Sequence, residues 1–91
     1  MRILRLNDGS EYTLDSCAAL EGDLWITVRG IGSVLEAATL FSDTEKTCHM
    51  TDTYDTGGAP SDDYDGYTDL FFIRKDTKSV TLCMKYKAPV Q

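Results

Sequence analysis

Acidic side chains are concentrated in one stretch of the sequence and are its first candidates for chemistry. Residues 52–69, DTYDTGGAPSDDYDGYTD, contain six aspartates and no basic residue. Within them, SDDYDG matches part of the EF-hand calcium loop, with Asp63 and Asp65 at the third and fifth positions. The first position is a serine and the twelfth a phenylalanine, where the EF-hand needs carboxylates. The sequence therefore excludes an EF-hand and leaves a weak, irregular Ca²⁺ site, with Asp62, Asp63 and Asp65 as candidate ligands.

The same stretch has a simpler interpretation as a connection between strands. Gly57, Gly58 and Pro60 interrupt regular structure, aspartate favours turns, and six carboxylates repel one another into solvent. We therefore expect a flexible acidic loop over residues 55–66.

The three cysteines and the single histidine are the remaining reactive candidates. Cys17, Cys48 and Cys83 are odd in number and far apart, unlike the even, dense set of a small secreted scaffold. Zinc sites usually bring ligands in close pairs, but only Cys48 and His49 are neighbours, and adjacent strand residues point to opposite faces. We therefore expect small buried cysteines and an exposed histidine, with neither a zinc site nor a Cys–His nucleophile.

Enzyme motifs are also absent from the sequence, which has no G-x-S-x-G, no phosphate-binding glycine loop and no H-E-x-x-H. We therefore expect a protein that is not an enzyme and needs no cofactor. The formal net charge of −6 disfavours nucleic-acid binding, because neutralising phosphates requires basic side chains. No apolar run approaches the ~18 residues that a membrane span requires, and the N-terminus has no apolar core of signal-peptide length. These features predict a protein that stays inside a cell.

Most of the elements that position these residues are predicted to be strands. Alternating side chains over residues 2–6, 11–17 and 23–29, with turns at Asp8-Gly9 and Gly22, predict a three-stranded meander. Its expected core face consists of Tyr12, Leu14, Leu24, Ile26 and Val28. Trp25 is then on the opposite face, either half-covered by a helix or available to a partner.

One helix follows the meander. Ser33 is its expected N-cap, with Glu36 three residues later in the capping-box pattern. An apolar stripe at helical spacing predicts the face that packs on the sheet: Val34, Ala37, Ala38 and Phe41.

Three more strands are predicted after the helix, over 46–54, 66–74 and 80–87. Apolar residues on both faces of the second, with Phe71 and Phe72 adjacent, favour a central strand covered on two sides. In the third, Leu82 is expected to face inward and Cys83 outward. The predicted fold is α+β and mostly β, in the order βββ-α-βββ, an antiparallel meander, small barrel or sandwich in a single domain of residues 1–91.

Two segments resemble small uncharacterised proteins encoded in prophages of Gram-positive bacteria. Those proteins place an F-x-D-x-x-K-T connection after a helix, matched here by Phe41, Asp43, Lys46 and Thr47. They also place a DGYT-x-L segment before a strand, matched by Asp65, Gly66, Tyr67, Thr68 and Leu70. The resemblance implies a component of a phage particle or its assembly, of the tail or baseplate type, and it implies no catalytic residue.

Two classes of function follow from the residues and the resemblance. The favoured one is a structural or interaction module, cytoplasmic or incorporated in a phage particle, that assembles with itself or with another phage protein. Its expected interaction residues are the aromatic side chains Trp25, Tyr54 and Phe72, since aromatics are enriched at interface anchors. The alternative is a small acidic protein that sequesters a host protein by imitating nucleic-acid phosphates, or a weak Ca²⁺-binding module.

Overall fold

Seven β-strands and two short helices occupy the residues that the structure, a computed structural model, describes: 1–54 and 61–87. In chain order they are β1 (Arg2–Arg5), β2 (Glu11–Leu20), β3 (Asp23–Arg29), α1 (Val34–Phe41), α2 (Thr44–Thr47), β4 (His49–Tyr54), β5 (Asp62–Asp65), β6 (Asp69–Lys75) and β7 (Ser79–Lys85). The prediction of a mostly β, α+β fold is confirmed.

The strands form one antiparallel sheet in the order β5-β4-β1-β2-β3-β7-β6. The two outermost strands, β5 and β6, are separated in sequence by only residues 66–68, so the sheet curls until its ends are close. Gly66 closes this corner: its N–H donates to the carbonyl of Cys48 at 3.0 Å, and its own carbonyl accepts from the N–H of Lys87 at 2.9 Å. A Cβ on Gly66 would lie 2.6 Å from the ring of Tyr86, and the φ of Gly66 is +82°, so both the space and the backbone conformation favour glycine.

β2 lets the sheet bend, because it pairs with β1 in one half of the sheet and with β3 in the other. A register shift between Leu14 and Ser16 leaves Asp15 as an extra residue, and such a bulge kinks its strand. The kink directs both halves of the sheet around one core. The predicted core face of the meander is confirmed: Leu14, Leu24, Ile26 and Val28 are buried and Tyr12 packs against them.

α1 begins at the predicted N-cap. The hydroxyl of Ser33 accepts from the N–H of Glu36 at 3.1 Å, whereas the Glu36 carboxylate accepts from Gly32 and not from Ser33. Ala37 and Phe41 are buried in the core, but Val34 is exposed, so the apolar stripe is narrower than predicted.

The segment after α1 differs from the prediction. A second helix, α2, takes up Thr47, with Asp43 as its N-cap, so β4 begins at His49 and not at residue 46. The predicted flexible loop over 55–66 is wrong for Asp62–Asp65, which form β5 against β4. Residues 55–60 of that loop lie outside the described residues.

The position of β6 in the sheet differs from the prediction. β6, predicted to be central, is at the edge of the sheet, and β7 has neighbours on both sides. A register shift between Leu70 and Phe72 makes Phe71 an extra residue, so Phe71 and Phe72 both lie outside the core while Leu70 and Ile73 pack against it. Cys83 points outward as predicted but is fully buried, because aromatic rings from both neighbouring strands cover it.

Candidate interaction surface

The outward face of β2, β3, β7 and β6 carries an aromatic ridge, formed by Trp25, Phe71 and Phe72. Trp25 is opposite Cys83 in the pairing of β3 with β7, and Phe72 is opposite Cys83 in the pairing of β6 with β7. The exposed fractions of the three aromatic residues are 37% for Trp25, 39% for Phe72 and 66% for Phe71. Ala18, opposite Trp25 on β2, is small and exposed and extends the row.

Two rings of the ridge close over the strand between them. β3 and β6 are two strand spacings apart, about 9.6 Å. The ring centroids of Trp25 and Phe72 are only 5.8 Å apart, at an interplanar angle of 54°. Both rings must therefore lean towards each other across Cys83, which explains the burial of that thiol. This burial raises the pKa of the Cys83 thiol and so keeps it protonated.

Phe71 extends the ridge because of the bulge in β6. The ammonium nitrogen of Lys85 is 4.2 Å from the centroid of the Phe71 ring, a cation–π contact. Lys85 is also 3.9 Å from a carboxylate oxygen of Asp23, which lies beside it in the ladder. The ridge is therefore bordered by charged side chains, as the apolar centre of a protein interface is.

The structure brings two of the three predicted interaction residues together. Trp25 and Phe72 form the pair just described, whereas Tyr54 lies at the end of β4, in a separate cleft. Phe71 was not predicted as an interaction residue, because its strand was expected to be central and covered on both faces. Two adjacent phenylalanines were the available signal, since a bulge can place neighbouring residues on one face.

The cleft has a volume of about 220 Å³ and is lined by Arg2, Asp52, Tyr54 and Asp62. The Arg2 guanidinium donates from Nε to Asp52 Oδ1 at 2.9 Å and from Nη2 to Asp52 Oδ2, a bidentate pair. Asp52 is only 6% exposed and Arg2 31%. The hydrogen bonds that Arg2 donates to Asp52 raise the pKa of Arg2 further above its ordinary value. The charges of Arg2 and Asp52 in this cleft are thus already paired with each other.

Two further titratable groups belong to the same region of the sheet. Burial raises the pKa of the Cys17 thiol to about 11 and that of the Tyr64 hydroxyl to about 12. Both groups are therefore neutral at physiological pH. A thiol in this state is a poor nucleophile.

His49 belongs to a polar cluster on the outward face of β4 and β5. Its Nδ1 is hydrogen-bonded to Asp65, and its Nε2 is 3.8 Å from Asp63 Oδ1, which also accepts a hydrogen bond from Thr51 at 2.9 Å. The hydrogen bond to Asp65 is the main cause of a raised His49 pKa. These contacts tie two carboxylates of the acidic stretch to the neighbouring strand.

The three candidate calcium ligands do not converge. Asp62 lines the cleft, while Asp63 and Asp65 lie on the opposite face of β5 with His49. Across residues 1–54 and 61–87, no three His, Cys, Asp or Glu side chains are placed to hold a metal ion. The prediction of buried cysteines is wrong for Cys48, which is exposed after α2, whereas Cys17 is half-buried on β2 and Cys83 is buried in β7. The three thiols are therefore far apart.

Comparisons of the chain with protein-family models, with curated proteins and with solved structures find no match. Among the described residues, neither α1 nor α2 is long and apolar enough to cross a membrane.

Proposed function

We propose that this chain is a non-enzymatic assembly module of a phage particle, of the tail or baseplate type, that binds a protein through the aromatic ridge. The supporting observation is the group of Trp25, Phe71 and Phe72 on one outward face of the sheet, each more than a third exposed. Aromatic side chains of this kind supply most of the binding energy at many interfaces.

The scaffold beneath the ridge favours binding over chemistry. The ridge stands on β3, β7 and β6, whose inward side chains Leu24, Leu82 and Ile73 belong to or pack against the core. Two rings held in contact over a buried strand lose little side-chain freedom when a partner covers them, so binding incurs a smaller entropic cost.

The titratable groups support a non-enzymatic role. Catalysis by a thiol needs a lowered pKa, whereas burial raises the pKa of both Cys17 and Cys83. His49 is 45% exposed and its partner Asp65 more so, an open position for a general base. Water competes for hydrogen bonds at a pair as exposed as this one.

The test is incorporation of the chain into phage particles. In the host that carries the gene, prophage induction is followed by purification of particles and quantification of the chain by mass spectrometry. We expect the wild-type chain to be present and Trp25→Ser/Phe72→Ser to be reduced at least tenfold. Leu35→Ser is the matched control, because Leu35 is an exposed apolar residue on α1, a helix that packs on the core side of the sheet and not on the outward face that carries the ridge.

Two outcomes would contradict the proposal. One is absence of the wild-type chain from purified particles. The other is equal incorporation of the ridge variant and the control. If instead the chain bound a host protein in a complex that weakened steeply with salt, the acidic-mimic alternative would replace this proposal, because screening acts on charges and not on aromatic contacts.

A further inference from the structure

We infer that a second copy of this chain docks on the aromatic ridge, about a two-fold axis that runs across the strands. The inference rests on the proposed function, because it names the partner of the surface proposed there. A two-fold interface requires a surface that fits itself, so that each contact between residues i and j is repeated between j and i. Along β3, the outward face of the sheet meets this requirement in shape and in charge.

The shape requirement is met by a low row beside the ridge. We call it the threonine shelf, and it consists of Thr27 on β3 and Thr81 on β7. The shelf is two residues along each strand from Trp25 and Cys83, on the same face and about 6.6 Å away. The two threonine hydroxyls are 3.2 Å apart and hydrogen-bonded. An aromatic ring that covered the shelf would bury a polar pair that already has a partner.

The sequence of β3 is self-complementary about its centre. Its outward residues are, in order, Asp23, Trp25, Thr27 and Arg29. A two-fold axis that crosses the strand at Ile26 places Trp25 on Thr27 of the second copy and Asp23 beside Arg29 of the second copy. An acidic end thus meets a basic end, where Arg29 is also 2.8 Å from Asp15 of its own copy, and a large side chain meets a small one.

The same axis gives matching contacts on β6. Phe72 and Arg74 are its outward residues on either side of Ile73, opposite Cys83 and Thr81 respectively. The axis therefore places the Phe72 ring beside the Arg74 guanidinium of the second copy. An arginine over an aromatic face is attracted by the ring.

Charge disfavours the other two-fold arrangement, with its axis along the strands. A row of three charged residues crosses the sheet at one end of the ridge: Asp23 on β3, Lys85 on β7 and Asp69 on β6. An axis along β7 would place Lys85 against its own copy and Asp23 against Asp69 of the second copy. Like charges would then face each other across the interface, and the threonine shelves would stay unfilled.

The size of the face predicts a weak dimer. The face is four strands wide, with strands about 4.8 Å apart, and seven residues long, with a rise of about 3.3 Å per residue. Its area is therefore roughly 440 Å² per copy. Roughly 900 Å² for both copies is below the 1,200–2,000 Å² of stable interfaces. We therefore expect the dimer to have a dissociation constant of roughly 10–500 µM. Repeated contacts in a particle would strengthen such weak binding.

The experiment is sedimentation equilibrium of the purified chain from about 10 µM to about 1 mM, the range of the expected constant. Two variants each remove one half of the fit: Trp25→Ser/Phe72→Ser deletes the ridge and Thr81→Arg blocks the shelf. We expect each alone to weaken dimerisation at least tenfold. Leu35→Ser and Thr53→Arg, on α1 and on the other half of the sheet, are matched controls and should dimerise as the wild type does. Circular dichroism checks that all the variants fold.

An equal mixture of the two variants is the decisive sample. The ridge of the blocked chain can fill the shelf of the ridge-deleted chain, and the added arginine then faces the space where the ridge was. We expect the mass of the mixture to exceed that of either variant alone. A monomeric wild type at about 1 mM, controls that weaken as much as the variants, or a mixture without recovery would each overturn the inference.

These outcomes separate the inference from the proposed function. A chain that is monomeric in solution but enters particles through its ridge would refute the second copy and leave the assembly role. A chain that dimerises through the ridge but is absent from particles would refute the assembly role and leave the symmetric interface.

Discussion

The contact between Trp25 and Phe72 across Cys83 gives a quantitative prediction. Each ring is replaced by alanine, singly and together, in a Cys48→Ser background that removes the exposed thiol. Aromatic pairs contribute about 0.5–1.5 kcal/mol beyond the area that they bury. Because each ring here is more than a third exposed, we expect the lower part of this range, a coupling of about 0.5–1 kcal/mol, or a two- to fivefold change in the unfolding equilibrium.

Urea unfolding of the four proteins measures the coupling. Labelling with a thiol reagent, with the modified cysteine identified by mass spectrometry, measures the cover of Cys83. Loss of either ring should speed labelling of Cys83, and loss of both should speed it most, while labelling of Cys17 changes little. If the coupling were indistinguishable from zero and Cys83 labelling did not change, the two rings would not form the cover described here.

Three further perturbations test other contacts of the fold. His49→Gln should lower the melting temperature most below pH 6. The contact with Asp65 raises the pKa of His49 in the folded protein, so protonated His49 stabilises the fold. This stabilisation is complete below the pKa of histidine in the unfolded chain, near 6.5, and is lost as the pH rises through the pKa in the folded protein. Asp52→Ala should cost about 1–2 kcal/mol in urea unfolding, less than a fully buried pair, because the Arg2 left behind is 31% exposed. Gly66→Ala should lower the free energy of unfolding by more than about 1 kcal/mol, because the alanine is strained at this positive φ and its Cβ clashes with the ring of Tyr86.

Two of these perturbations have a matched control variant, and the third has a result that would contradict it. Gly9→Ala shares the positive φ but has no atom within 4 Å of the added Cβ, so an equal loss in both glycine variants would rule out the clash. Asp62→Ala removes a carboxylate from the same cleft and should be nearly neutral; if it matched Asp52→Ala, the ion pair would not be the cause. For His49→Gln, a melting difference that does not vary from pH 5 to pH 9 would contradict the linkage with Asp65.

Local signals predicted the parts of the fold that depend on near neighbours in sequence. The alternation in β3 separated Leu24 and Ile26 from Trp25 because strand side chains point to opposite faces in turn. Ser33 was identified as an N-cap because its oxygen bonds a backbone N–H only three residues away.

The errors arose where distant residues decide the outcome. The extra residue Phe71 changes the phase of β6, and alternation cannot reveal such an insertion. Cys83 is buried by aromatic rings from two other strands, so the residues next to it in sequence do not predict its burial. β5 was assigned to a loop from its charge, yet its carboxylates are held by Thr51 and His49 on β4, which composition does not show.

The interaction surface was predicted in part. Trp25 and Phe72 were expected to be available to a partner, but their contact across β7 depends on strand order, which the sequence does not specify. The prediction that included Tyr54 treated all exposed aromatics alike. Its position in the cleft beside Arg2 follows from the pairing of β4 with β1.

The fluorescence of Trp25 tests the central claim most directly, because it is the single tryptophan of the chain and stands on the ridge. If the ridge binds a second copy of the chain, the emission of Trp25 should shift to shorter wavelength, and quenching by acrylamide should fall, as the chain is concentrated from about 10 µM to about 1 mM. The Thr81→Arg variant should show neither change. Emission and quenching that stay constant over this range in the wild type would contradict the account.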